Sequence, residues 1–156
     1  MFNKFVFGLS WLVLLSSCFV HSGFGGVVVR ASHDSPVRNL DTGLEYTTIQ
    51  EAIDAPETLD GHTIFVGEGT YYEHLVVNKS LSLVGENMST TVIDGNYTGN
   101  PVAIGASHVN VTGFTVQKAT YPSFPPYMGY PFYGYAIYVG EGTAYSNISH
   151  NIIADN

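Results

Sequence analysis

The stretch "GTYYEHLVVNKSLSLVGEN", residues 69–87, alternates apolar and polar side chains, breaks at Asn78-Lys79, alternates again and stops at Gly85. Period-two alternation is the mark of a strand with one buried face. Two such strands joined as a hairpin call for Asn-Gly, Asp-Gly or another pair with φ > 0 at the joint. Asn78-Lys79-Ser80 is a poor match to that requirement. A bend between strands that pair not with each other but with turns of chain above and below fits the residues better.

The pattern continues outward from this stretch. From Thr63 onward the segments "TIFV", "HLVV", "LSLV", "TVI", "VAI", "VNV", "FTV", "AIYV" and "NISHNII" are short β segments separated by Gly, Asn, Asp or Ser. Many short strands suit a sandwich or barrel as well as a solenoid, so self-similarity decides. "VNVTGFTV" at 109–116 lies over "SNISHNII" at 146–153, with Asn110 on Asn147, Val111 on Ile148, Thr112 on Ser149 and Val116 on Ile153. "VAI" at Val102 and "AIYV" at Ala136 take similar places upstream, and "LSLVGEN" at Leu81 is a looser copy. Setting aside an aromatic segment at 121–135 leaves a period of about 22 residues, suited to a small stacked repeat. The expected fold is therefore all-β: a right-handed parallel β-helix of about three coils.

Upstream, "YTTIQEAIDAP" breaks the period. Thr47 and Thr48 each stand three residues before Gln50 and Glu51, the spacing of a capping box. Ile49, Ala52 and Ile53 share one helical face, and Pro56 prevents continuation beyond Ala55. A two-turn helix over 48–55 is expected. It is too short to be stable alone, so its apolar side must cover something, and the open end of the first coil is the natural partner.

The N-terminus reads as targeting. Lys4 precedes an uncharged apolar run, residues 5–20, followed by Ser22, Gly23, Gly25 and Gly26. This is the order of a secretory signal. A retained membrane anchor is the alternative, since a bilayer takes about 20 apolar residues. Leu15-Ser16-Ser17-Cys18 resembles a bacterial lipoprotein signal and contains the single cysteine of the chain. The expected organisation is a signal or anchor at 1–26, a linker at 27–45, and a β-helix domain at 46–156 truncated at its C-terminal side. A truncated stack would leave Ile148, Ile152 and Ile153 uncovered and prone to stack end to end. The protein is expected outside the cytoplasm, secreted or held by a membrane or lipid anchor.

Composition narrows the partners. The 156 residues carry a formal net charge of −8 with 5 Lys+Arg, and after Arg38 the only basic side chains are Lys79 and Lys118. Nucleic-acid binding needs clustered cations, so no nucleic-acid partner is expected, and any membrane contact would run through the N-terminal segment. Five Asn-x-Ser/Thr sequons, at Asn78, Asn87, Asn96, Asn110 and Asn147, are glycosylation acceptors where the export machinery supports it.

The segment "YPSFPPYMGYPFYGY" has seven aromatics and four prolines among 15 residues. Aromatic side chains on a rigid scaffold stack on sugar rings, with hydroxyls as partners. Tyr121, Phe124, Tyr127, Tyr130, Phe132, Tyr133 and Tyr135 are therefore the candidate ligand-binding set, with a polysaccharide or envelope glycan as partner. The same residues could instead fold back over the flank of the solenoid.

Catalysis has less support. The acids from residue 60 onward are Asp60, Glu68, Glu73, Glu86, Asp94, Glu141 and Asp155, and none lie two apart. Coil stacking is needed to bring any two together. His62, His74, His108 and His150 invite a copper reading, since imidazole suits copper. They lack a His-x-His pair or a Met-rich tract, so no metal site and no cofactor are expected.

The residues also carry a family resemblance. "YTTIQEAIDAPETLDGHTIFVGEGTYYEHLVVNKSLSLVGENMSTTVIDGN" resembles the opening of right-handed parallel β-helix proteins of the pectin-lyase-like superfamily. "NISHNIIADN" is similar to the Asn-rich coils of the NosD-type family, named for periplasmic copper-site maturation and found among secreted archaeal and bacterial surface proteins. The resemblance runs from about Leu44 to Asn156 and implies fold far more than activity. The first coil is also similar to that of pectin methylesterases, which use two Asp, a Gln and an Arg on later coils. Here the only acids after Asp94 are Glu141 and Asp155, and no Arg follows Arg38. The reading is thus a non-catalytic secreted or surface β-helix protein with a binding or structural role in the cell envelope, glycan-related. The alternative is the N-terminal part of a carbohydrate-active enzyme, of pectinesterase or polysaccharide-lyase type, with catalytic coils further on.

Overall fold

A computed structural model describes residues 36–120 and 134–156. The expected signal or anchor at 1–26 and most of the aromatic segment lie outside the described residues.

The chain winds as a parallel β-helix. One coil is β3 (Thr63–Val66), β4 (Gly69–Tyr71) and β5 (Leu75–Val77). The next is β6 (Ser82–Gly85), β7 (Thr91–Asp94) and β8 (Val102–Ile104). The third is β9 (Asn110–Thr112), β10 (Thr115–Gln117) and β11 (Ile137–Val139), and β12 (Asn147–Ser149) and β13 (Ile152–Ala154) follow above it. Each strand pairs in parallel with its counterpart one coil away, giving three sheets: β3-β6-β9-β12, β4-β7-β10-β13 and β5-β8-β11. β5 and β6, the two strands of the opening stretch, lie in different sheets and never pair with each other.

The sequence alignment is reproduced in register. Asn110 pairs with Asn147, Val111 with Ile148 and Thr112 with Ser149. Val116 pairs with Ile153, and Val102 with Ile137. The step of 37 residues between the two aligned copies is the one read from the sequence, and the earlier coils are shorter. The step is 19 residues from Ile64 to Leu83, 28 from Leu83 to Val111 and 37 from Val111 to Ile148. Strand positions repeat because they must stack, whereas the bends between sheets can lengthen without disturbing the ladders.

Inward side chains stack in columns. Ile64, Leu83 and Val111 form one, and Leu75 and Val102 belong to another; all are buried, with Phe114 the largest fully buried side chain. Ile148 and Ile153 continue two such columns and are exposed. Gly85 and Gly113 meet where the first bends of neighbouring coils come closest. A Cβ on either would fall on the carbonyl oxygen of the other, and Gly113 also has φ +85°. No other residue fits that approach.

Part of the expected linker is structured. β1 (Val37–Asn39) pairs antiparallel with β3, and β2 (Glu45–Tyr46) pairs antiparallel with β1. Val37 and Asn39 are fully buried. These strands are three and two residues long, too short for alternation to register in the sequence. The Asn39 carboxamide oxygen accepts from Asp41 N and Thr42 N, which turns the chain between them.

The helix α1 (Ile49–Asp54) is N-capped by Thr48, whose hydroxyl accepts from Glu51 N at 3.1 Å. Glu51 reaches back to Thr47, accepting from its N–H and its hydroxyl. Ile49, Ala52 and Ile53 are buried, and the helix contacts β1, β2, β3 and β5.

Candidate functional site

Side chains alternate along each strand, so every sheet has an outward set. On the β3-β6-β9-β12 sheet the outward columns are Thr63–Ser82–Asn110–Asn147 and Phe65–Val84–Thr112–Ser149. Two of the five sequons therefore lie in register on adjacent strands. Asn147 Nδ2 donates to Asn110 Oδ1 at 3.1 Å. Asn147 is exposed and Asn110 half-buried. Their sequon hydroxyl residues, Ser149 and Thr112, share the same outer face two residues on.

The other three sequons sit on bends, and all three asparagines are exposed. Asn78 follows β5. The Asn87 carboxamide oxygen accepts from Ser89 N at 2.9 Å, closing a turn inside the sequon. Asn96 has φ +48° and donates its backbone N–H to Asp94 Oδ1 at 2.8 Å. The hydroxyl of Thr98 donates to Gly95 O and meets His74 Nε2 at 2.8 Å.

Beside Asn96 lies the most polar buried group of the coils. Asp94 Oδ2 accepts from Lys118 Nζ and Gln117 Nε2, each at 2.8 Å. The Asp94 side chain is 1% exposed and that of Lys118 is 32%. Burial pushes the Asp94 carboxyl up, but the hydrogen bonds from Lys118, Gln117 and Asn96 N outweigh it and hold the carboxyl below its ordinary value. The same bond raises Lys118. Tyr97 donates its hydroxyl to Asp155 Oδ2 at 2.6 Å, which raises the Tyr97 phenol. Coil stacking thus gathers acids that are far apart in sequence. Their oxygens are engaged by a lysine, an amide and a phenol, which is the pattern of a structural knot.

A second acid group forms at the first bend. Glu68 N donates to Glu86 Oε2 at 3.1 Å, and Thr90 Oγ1 to Glu68 Oε1 at 2.8 Å. Tyr71, behind them, donates its hydroxyl to Gly67 O, and burial, with Glu73 and Glu86 adding, pushes its phenol up to about 12. The histidines are dispersed. His62 meets Asn39 Nδ2 at 3.1 Å, His74 bridges Thr98 and Asn100, His108 stacks on Tyr145 at 5.1 Å, and His150 occupies a bend with φ +54°. Among the described residues no group of three or more His, Cys, Asp or Glu side chains is arranged to hold a metal ion.

Of the aromatic set, Tyr121, Phe124, Tyr127, Tyr130, Phe132 and Tyr133 lie outside the described residues. Tyr135 is described and exposed, donates its N–H to Asn100 Oδ1 at 3.0 Å, and sits 5.9 Å from the ring of Tyr138, tilted by 47°. Tyr138 belongs to the outward column Val76–Ala103–Tyr138 of the third sheet, in which Val76 is 52% and Tyr138 41% exposed. That face is apolar and carries aromatic edges, and none of the five sequon asparagines falls on its strands.

Several working side chains were not legible as such. The Gln50 carboxamide accepts from Val76 N at 2.8 Å and donates to Val76 O at 3.3 Å, pairing with the lower edge of β5 as a strand would. Glu73 accepts from Ile49 N and Gln50 N at the start of α1, and Lys79 Nζ donates to Ala55 O and Thr58 O beyond its end. The Asn151 carboxamide accepts from Phe114 N and donates to Val111 O in the coil below. Asn156 does the same for Ala119 N and Val116 O. The only sequence signal for these last two was the Asn-rich character of "NISHNIIADN".

No protein-family profile matches the chain. A relative named "Cell surface glycoprotein", from Methanothermus fervidus, is 38% identical over 105 residues, which are 67% of this chain and 16% of that protein. The chain thus spans about a sixth of the length of the curated relative it matches. Among solved structures, a pectin methylesterase in complex with a hexasaccharide aligns with TM-score 0.50 and 20% identity over 73% of this chain and 43% of the enzyme. Pectin methylesterase PemA from Erwinia chrysanthemi aligns with TM-score 0.49 and 20% identity over 72% and 43%. The first likeness bears out the parallel β-helix fold expected from the residues.

Proposed function

We propose that this chain is part of a non-catalytic cell-surface glycoprotein, a β-helix with a binding or structural role in the cell envelope. The observation that carries the reading is the 38% identity over 105 residues to a protein named as a cell surface glycoprotein. It is supported by five sequons whose asparagines all reach the outside of the coils, four of them exposed and Asn110 half-buried. The coils would serve as a rigid, edge-poor stalk or spacer, and attached sugars would keep an acidic, tyrosine-rich surface soluble.

The ligand side of this reading rests on the aromatic segment, to which Tyr135 and Tyr138 belong or adjoin. Their exposed rings beside a flat apolar column suit stacking on a sugar chain. The NosD-type assignment is supported only by the residue pattern of the later coils.

Protease shaving of intact cells of the native host, followed by peptide mapping, tests the location. Peptides from 36–156 released from intact cells are expected; their recovery only after lysis would overturn it. Release of methanol from methyl-esterified pectin by the purified protein would overturn the non-catalytic part and favour the enzyme.

A further inference from the structure

Residues 86–90 join β6 to β7, whereas only Gly67 and Glu68 join β3 to β4, and only Gly113 and Phe114 join β9 to β10. The strands on both sides of these bends stack in register. The extra residues of the middle bend therefore have no place in the stack and loop outward. Residues 86–90 are all exposed, although coils lie both below and above them. They carry the sequon Asn87-Met88-Ser89.

This bend is closed largely by its own bonds. Asn87 O accepts from Thr90 N at 3.0 Å and from Thr91 N at 2.8 Å, and Asn87 Oδ1 accepts from Ser89 N at 2.9 Å. The last bond holds the carboxamide beside Ser89. It also draws charge toward Oδ1, which makes the Nδ2 protons easier to remove. Among the described residues neither Asn87 Nδ2 nor Ser89 Oγ has a hydrogen-bond partner.

Attachment of an N-linked sugar makes demands that such a bend meets. Nδ2 attacks the anomeric carbon of a sugar activated as a lipid phosphate. The anomeric C–O bond breaks, the lipid phosphate leaves with its electron pair, and a base on the membrane-bound transferase takes one Nδ2 proton. The transferase also reads the hydroxyl of the sequon. Nδ2 and that hydroxyl must both be open, and the segment must be able to enter the enzyme's cleft.

Each of the other sequons fails one of these demands. Thr98, of the Asn96 sequon, is exposed, but its single hydroxyl proton has two acceptors within reach, Gly95 O at 3.0 Å and His74 Nε2 at 2.8 Å. Nε2 is an acceptor because His74 Nδ1 faces Asn100 O at 3.1 Å. A carbonyl oxygen only accepts, so Nδ1 carries the proton of the neutral ring. In the Asn78 sequon, Ser80 N donates to Asp60 Oδ1, Ser80 O accepts from Gly61 N, and Lys79 Nζ donates to Ala55 O and Thr58 O. These bonds pin the segment to the chain that follows α1. Asn110 and Asn147 stand within paired strands, whose backbone would have to leave the ladder to enter a transferase.

We propose that Asn87 is the sequon the folded coils offer to the transferase, and that His74 withholds Asn96 by holding the Thr98 hydroxyl. The proposal rests on the glycoprotein reading above.

Glycopeptide mass spectrometry of the protein purified from its native host tests this. Sugar is expected on Asn87 at an occupancy several-fold above that of any other sequon. His74→Ala and His74→Phe both remove the ring nitrogens, and occupancy of Asn96 should rise several-fold in whichever variant keeps the β-type far-UV spectrum. Asn87 bare while another sequon is modified, or all five modified alike in the wild type, would overturn the proposal and leave the glycoprotein reading standing. An Asn96 that stays bare in the folded variants would overturn the role of His74. Absence of sugar from all five asparagines would overturn both the proposal and the glycoprotein reading.

Discussion

Lys118 Nζ lies 2.8 Å from Asp94 Oδ2, joining an almost fully buried carboxylate on one coil to a partly exposed ammonium on the next. The folded carboxyl holds its proton more weakly than the ordinary aspartate value of about 3.9. A depressed folded pKa contributes stability that is complete above the unfolded value and is lost as pH falls through the folded one. Lys118 is shifted up, so its contribution is complete below the unfolded lysine value of about 10.4 and is lost as pH rises past it. Thermal melts should therefore show a plateau between these limits and an acid loss below about pH 4. Asp94→Asn should flatten the acid limb and lower neutral stability by about 1–3 kcal/mol, the worth of hydrogen bonds to a charged group. An acid limb unchanged in the variant would remove Asp94 from the account.

The helix α1 is expected to cap the first coil. Ile53 is fully buried against it, so Ile53→Asp should cost about 4 kcal/mol or more as an unpaired buried charge. Gln50→Ala should cost about 1 kcal/mol, because Val76 then offers its N–H and C=O to water. Urea midpoints measure both. A wild-type midpoint for Ile53→Asp would show that the helix covers nothing essential.

Gly113 and Gly142 share a left-handed backbone, with φ +85° and +81°, but only Gly113 has a carbonyl where a Cβ would go. Gly142→Ala should cost about 1 kcal/mol, from conformation alone. Gly113→Ala should cost that and the separation of two coils, about 3 kcal/mol or more. Equal losses on chemical denaturation would mean that the coils do not approach at Gly85.

Tyr135→Ala with Tyr138→Ala should weaken retention on immobilised polysaccharide. Each aromatic contact is worth about 0.5–1.5 kcal/mol, so affinity should fall about tenfold while the far-UV spectrum holds. Undiminished retention would assign these rings to packing.

Much of the β-helix is legible in the residues. Period-two alternation marks strands, and the match of Asn110 to Asn147 and Val116 to Ile153 appears as sequence identity of type before it appears as register. Such features are local or repeated, and the chain spells out each coil with the same inward positions. The five sequons are equally plain in the sequence, and the repeat already sets Asn110 over Asn147; the hydrogen bond from Asn147 Nδ2 to Asn110 Oδ1 is what the structure adds. Tertiary structure alone also joined Gln50 to Val76, Lys118 to Asp94 and Asn151 to Phe114, and built β1 and β2 into the first sheet. These partners lie far apart along a chain whose coils lengthen from 19 to 28 to 37 residues. A hydrogen bond across coils is set by the stacking of apolar columns, which draws in whatever polar group the intervening bend has left beside it.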